Sequence, residues 1–274
     1  MPPENNFRLI SLKTFVMSFL KSGNPTLSEK IFNRSLANEQ ELNGTMTVRG
    51  AINKFGFLLV MVLAGATYTW YLYQNSIDPT AVMPYLWGGL IGGFITGLVI
   101  SFKPNWSGFL APAYALMQGL FLGALSVMIN EAFKETYPGI VMQAVGLTFC
   151  VAIAMFLLYN FRIIKPTQKF KSIIITATAG IALFYIVLWV MSFFGAYPSF
   201  MSFGDNSLLG YGISLFIIAI AAMNLILDFE RIEVGEEMGA PKYMEWYGAF
   251  GLLVTIVWLY IEILRLLSRF ASRD

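Results

Sequence analysis

Apolar residues along the chain arrive in seven long runs separated by short polar stretches: Phe55 to Tyr73, Met83 to Phe102, Ser107 to Ile129, Ile140 to Asn160, Ile173 to Gly195, Leu208 to Phe229 and Tyr247 to Leu267. Each run is 19 to 23 residues long. At about 1.5 Å per residue, such a run spans the roughly 30 Å hydrocarbon core of a bilayer as a helix. Lipid offers the backbone no hydrogen-bond partner, so these segments are predicted to be helices. Pro84, Pro104, Pro138, Pro166, Pro198 and Pro241 fall at or beyond segment ends, where a helix stops without losing an interior bond. Pro112 lies inside the third segment, which it either kinks or enters in the first turn. Glycines crowd the second segment (Gly88, Gly89, Gly92, Gly93, Gly97) and recur in the third (Gly119, Gly123), predicting close backbone packing there.

Composition agrees with this pattern. The 274 residues hold eighteen Lys/Arg and sixteen Asp/Glu, 12% charged against roughly 25% in a soluble domain, with a mean hydropathy of +0.66. An all-α, polytopic membrane protein is predicted, and a net charge of +2 gives no basic face for nucleic acid. One Cys and no His exclude an internal disulfide and remove the usual ligands of zinc and haem, so no cofactor is expected. No P-loop, nucleophile elbow, zinc-protease or dinucleotide motif is present, and the chain is not expected to be an enzyme.

Charge also divides the chain. Residues 1–54 form a polar arm with seven Lys/Arg, in which the stretch Phe7 to Leu20, broken by Arg8 and Lys13, reads either as an interfacial amphipathic helix or as a partly disordered tail. Residues 55–267 form the membrane domain and 268–274 a short basic tail. A cytosolic N-terminus puts fourteen of the eighteen cations on the cytosolic side, in keeping with the positive-inside rule. A re-entrant last segment, which would return the basic C-terminus to the cytosol, is the competing topology.

Ionisable groups inside spans are costly, so the few present are candidates for function. Asp228 closes the sixth segment in Asn224-Leu-Ile-Leu-Asp228-Phe-Glu230-Arg231, where helical spacing puts Asn224, Asp228 and Arg231 on one face. It reads either as part of a polar cluster at the cytosolic mouth or as the cap of a solvated helix end. Glu262 and Arg265 in the seventh segment share a face, as an intrahelical ion pair or with Glu262 titrating into a cavity. Gln118 and Gln143 are predicted to bond between helices, and Lys103 to reach the membrane surface. Asp228, Glu230, Glu233, Glu236, Glu237 and Glu245 make the sixth connection acidic: a solvated charged loop, or a vestibule for cations such as Ca²⁺.

Four stretches have a familiar order: Ser22-Gly-Asn-Pro-Thr-Leu-Ser-Glu-Lys30, Met46-Thr-Val-Arg-Gly50 to Lys54, Ala111-Pro-Ala-Tyr-Ala-Leu-Met-Gln-Gly-Leu-Phe-Leu-Gly-Ala-Leu-Ser126, and Gly239-Ala-Pro-Lys-Tyr-Met-Glu-Trp-Tyr-Gly-Ala-Phe-Gly251. Together they resemble the bacterial Bax inhibitor-1/YccA-like membrane protein family. The resemblance implies a central last helix wrapped by the six others, residence in the inner membrane, and a pH-sensitive Ca²⁺ leak gated by two aspartates, one late in helix six and one in helix seven. Asp228 fits the first, with Glu230 and Arg231 beside it as gate or proton-sensing residues and Arg231 or Lys103 as the basic partner. No acid stands at the second position, near Val254 or Thr255. Asn224, Glu262, Arg265, Gln118 and Lys103 are the secondary polar sites. The competing function is a non-conducting regulator that binds a membrane protease or another membrane protein through the arm.

Overall fold

The computed structural model describes residues 44–195 and 198–272. Among them are seven helices long and apolar enough to cross a membrane: α1 (Val48–Asn75), α2 (Met83–Phe102), α3 (Ser107–Ala132), α4 (Ile140–Asn160), α5 (Gln168–Phe193), α6 (Leu208–Glu237) and α7 (Met244–Ala271). The expected amphipathic stretch Phe7 to Leu20 lies outside the described residues.

The helices start where side chains satisfy their first N–H groups. Thr47 caps α1 by accepting from the Gly50 N–H, Thr167 caps α5 from Phe170, and Ser207 caps α6 from Gly210. Pro84 occupies the first turn of α2, and Pro112 lies in the second turn of α3, beyond the first turn in which a proline costs no bond. Several boundaries differ from hydropathy, among them the start of α5, which lies at Gln168 and not Ile173. α1 begins at Val48, ahead of Phe55, because Arg49 and Lys54 ride on a helix that projects past the apolar layer. α6 runs to Glu237, past Phe229, and α7 to Ala271, so residues 268–271 are helix and not tail.

α7 is the spine. It is buried along most of its length and packs against α1, α3, α4 and α6, while α2 lies outside on α3 and α5 outside on α6. Lipid is as apolar as leucine, so close packing and polar bonds, not the hydrophobic effect, must hold such helices together. Between α1 and α3 the backbones touch: a Cβ on Gly119 would lie 2.3 Å from the Val62 carbonyl oxygen, and one on Gly123 2.6 Å from the Ala66 Cα. The same holds for α2, where a Cβ on Gly89 would lie 2.5 Å from the Met117 carbonyl oxygen.

The two ends of α7 are tied to opposite ends of the bundle. At the near end, Met46 N–H donates to Ala240 O (2.7 Å), and Ser107 Oγ donates to Tyr243 O (3.1 Å). At the far end, Tyr211 donates to the Arg269 carbonyl (2.8 Å). α7 therefore runs from one end of the bundle to the other as one continuous helix, long and apolar enough to cross a membrane.

Candidate functional site

Asp228 is not on the rim. α6 continues beyond it to Glu237, and its carboxylate is only 4% exposed, between α6 and α7. Arg231, one turn on, donates from Nη1 to Oδ1 (3.1 Å), and Thr255 of α7 donates from Oγ1 to Oδ2 (2.5 Å). The position where the resemblance calls for a second acid thus holds a hydroxyl that bonds directly to Asp228. A donor serves where a second carboxylate would have to share a proton.

Glu230 faces another way: its carboxylate pairs with Lys171 of α5 (2.6 Å). Asn224, one turn before Asp228, donates from Nδ2 to Thr178 Oγ1 of α5 (2.7 Å) and to Ile220 O (2.9 Å). Deeper towards the far end, Glu262 is buried. It accepts from Tyr185 of α5 (2.5 Å) and from Arg265 (3.1 Å), and Arg265 also donates to the Tyr185 oxygen (2.8 Å). Asp228, Arg231, Glu230, Asn224, Glu262 and Arg265 thus all belong to the α5–α6–α7 side of the bundle.

Gln118 and Lys103 do not join them. Gln118 is buried in α3 with its amide nitrogen in the space that a side chain at Gly93 would need. Lys103 ends α2 and lies over the Trp106 ring at 4.5 Å, so the basic partner of Asp228 is Arg231. Gln143 bonds Tyr137, in the connection before its own helix, and not a neighbouring span.

The acidic connection is also corrected. Five of its six acids lie on the last turns of α6 and the sixth, Glu245, on the first turn of α7; the turn between them holds only residues 238–243. Glu233 pairs with Tyr159 and Arg162 (2.5 Å to the latter). Glu245 is fully buried, pairs with Lys54 and with Lys242 (2.8 Å), and accepts from the Thr47 N–H (2.9 Å) and hydroxyl (3.0 Å). Among the described residues no group of three or more acids or thiols is arranged to hold a metal. A cavity of about 630 Å³ opens between α1, α4, α6 and α7, but its lining is mainly apolar, with Arg162 and Glu233 at the edge, and Asp228 does not line it.

The far end carries a cluster that hydropathy hides. Arg269 is fully buried, its guanidinium bonded to Asp205 Oδ2 (3.1 Å), Asp205 O (3.2 Å), Phe200 O (2.7 Å) and Ser214 Oγ (3.1 Å). Hydrogen bonds from Ser207, then the charge of Arg269, hold the Asp205 carboxyl below the usual range. At the near end, Glu233 raises the Arg162 guanidinium above its ordinary value, first by hydrogen bonding and then by charge. Sequence reasoning missed Lys171, Thr178, Tyr185 and Arg269 as site residues, and it registered Thr255 only as the place of a missing acid and Glu245 only as part of the acidic connection. The seven-residue spacing of Lys171, Thr178 and Tyr185, which puts three polar side chains on one helical face, was the available signal for three of them.

Compared with known families, residues 24–272 match the family model described as Bax inhibitor 1 like. No curated protein matches the chain, and no solved structure does.

Proposed function

Because the chain belongs to the Bax inhibitor 1 like family, we propose that it is a channel-like protein of the bacterial branch that leaks cations, Ca²⁺ among them, across the inner membrane with its N-terminus in the cytosol. The observation that carries this reading is the burial of Asp228 between α6 and α7, where its carboxylate is shared by Arg231 of its own helix and Thr255 of the next. A buried carboxylate inside a span is expensive and is retained where ions or protons pass. In this reading Asp228 is the gate and pH-sensing group, with Arg231 as counter-charge and Glu230 as the neighbouring acid. Protonating Asp228 removes the charge that Arg231 balances within α6 and weakens the charge-assisted bond from Thr255 that joins α6 to α7. The protein is a conduit and not a catalyst, it needs no cofactor, and Ca²⁺ is its cargo.

Flux from proteoliposomes holding the purified full chain tests this. Ca²⁺ release that changes between pH 6 and pH 8 in wild type, and loses that change in Asp228→Asn, is the expected result. No release at any pH, or identical release by the variant, refutes it. One observation favours the non-conducting regulator: Asp228, Glu230 and Glu262 are each matched by a cation of the chain itself, as in a sealed bundle. If that reading holds, removing residues 1–43 abolishes capture of a membrane-protease partner and no flux is found in either form.

A further inference from the structure

α5 differs from the other six helices in how it is attached. It rests almost wholly on α6, through an apolar cluster of Ile174, Ile181, Ile217, Ile220 and Leu227 that is separate from the main core. Its remaining attachments are polar and evenly spaced. Lys171 meets Glu230, Thr178 meets Asn224, and Tyr185 meets Glu262 and Arg265. These three residues repeat every seventh position, so they line one face over about 21 Å, most of the hydrocarbon thickness. α7 adds Thr255, bonded to Asp228, and two turns further Glu262 on the same face. A file of oxygen-bearing side chains therefore runs along the seam of α5, α6 and α7, from Glu230 near one end to Glu262 towards the other.

Between the polar rungs lie the buried side chains of Ile174 and Ile181, and Leu188 follows the last rung, the three again seven residues apart. With α5 seated, these apolar layers exclude water between the rungs, as a hydrophobic constriction closes a pore by dewetting. The acids along the seam are neutralised by Lys171, Arg231 and Arg265, so the closed seam carries no net charge from these pairs. Hard cations take carboxylate, hydroxyl and amide oxygens, which is the set lining the seam. Elsewhere, the interfaces of α1 and α2 with α3 are closed by backbone contact at glycines and offer no comparable file.

We propose that this seam is the route by which a hydrated cation crosses the membrane, with α5 as its movable outer wall. The route rests on the cation-leak reading above and assigns it a location.

The test uses the full chain in proteoliposomes with its exposed Cys150 replaced by alanine and single cysteines introduced. The probe is the water-soluble cation 2-(trimethylammonium)ethyl methanethiosulfonate at pH 7. Thr178→Cys is expected to be modified and to lose Ca²⁺ flux on modification, while Leu183→Cys, on the lipid face of α5, remains unmodified. Thr178→Val, which keeps the size but removes the oxygen, is expected to lower flux about tenfold, the worth of one lost hydrogen-bonding ligand, with thermal unfolding showing that the fold is retained. The route is overturned if wild type conducts but Thr178→Cys stays unmodified while the exposed Lys134→Cys reacts, or if Thr178→Cys is modified without loss of flux. Absence of Ca²⁺ flux from wild type defeats the cation-leak reading itself, and the route with it, and is recognised before any cysteine is introduced.

Discussion

Replacing Thr255 by valine tests whether Asp228 is a buried anion whose second oxygen depends on one hydroxyl. Asp228 Oδ1 is met by Arg231 on its own helix, whereas Oδ2 is met from α7 by Thr255. Valine puts a methyl where the hydroxyl was, opens no cavity, and leaves Oδ2 without that donor. An ordinary hydrogen bond between membrane helices contributes on average about 0.6 kcal/mol. Stranding a buried acceptor costs about 1–3 kcal/mol, and more when it is charged, so we expect Thr255→Val to cost about 2 kcal/mol. Thr148→Val is the control: Thr148 is also buried, but its hydroxyl bonds only back to Ala144 O of its own helix (2.7 Å), and its loss should be near neutral. Equilibrium unfolding in mixed micelles titrated with dodecyl sulfate, followed by tryptophan fluorescence, gives both values. Combining Thr255→Val with Asp228→Asn closes a double-mutant cycle, in which a coupling of about 1 kcal/mol or more is expected for groups in direct contact. A cost no larger than the ordinary bond, with no coupling, would refute the claim that Thr255 stands in for a second acid.

Gly119→Ala should destabilise by about 1–3 kcal/mol, because the new Cβ meets the rigid Val62 backbone, whereas Gly146→Ala, with open space around it, should be neutral or stabilising; the same unfolding assay compares them. The lowered pKa of Asp205 means that its folded form holds a proton less readily than its unfolded form, so its stabilisation is complete above the ordinary aspartate range and fades as pH falls through the lower folded value. Melting temperatures from pH 7 to pH 3 should therefore decline on the acid side less in Asp205→Asn than in wild type. Glu245→Gln, which leaves Lys54 and Lys242 without their shared carboxylate, should lower the melting temperature more than Glu131→Gln, whose ion pair with Lys134 is exposed.

The spans were legible because lipid admits one solution for a long apolar run. Their ends were not, because hydropathy stops at the first charges while a helix continues wherever those charges find partners. Lys54 reads as the edge of an arm until Glu245, 191 residues away in the chain, is seen to hold it. Arg269 reads as tail until Asp205, Phe200 and Ser214 enclose it. Asp228 looked like a rim residue because the apolar run ended at Phe229, whereas α6 continues to Glu237 and α7 packs over Asp228 through Thr255. Thr255 carries no charge and sits in an apolar run, so sequence registered only the missing acid and not the hydroxyl in its place. Two of the stretches behind the family resemblance, around Met46 to Lys54 and Gly239 to Gly251, fold against each other through Thr47, Lys54 and Glu245, and a third supplies the glycines against which α1 packs. Much of what those stretches encode is thus the joinery of the bundle.

That joinery limits which part of the molecule can move. α7 is pinned at its near end by Glu245 to Thr47 and Lys54, and at its far end by Arg269 to the connection before α6. α1, α2 and α3 are locked by carbonyl-to-glycine approaches that tolerate no sliding without collision. α4 lies against both α6 and α7. α5 has neither a pinned end of this kind nor a glycine seam; it has a small apolar cluster of its own and three polar rungs, each an exchangeable bond. Separating α5 from the spine exposes the partners of Asn224, Glu230 and Glu262 to water, which can replace the lost bonds, while separating α1 from α3 exposes mainly backbone and apolar groups and the Thr69 hydroxyl, which already bonds back within its own helix. The balance of those costs puts the soft side of the bundle where its polar file lies. The route proposed for a cation leak therefore calls for no rearrangement of the central helix, only the outward displacement of one peripheral helix by about the width of a hydrated ion.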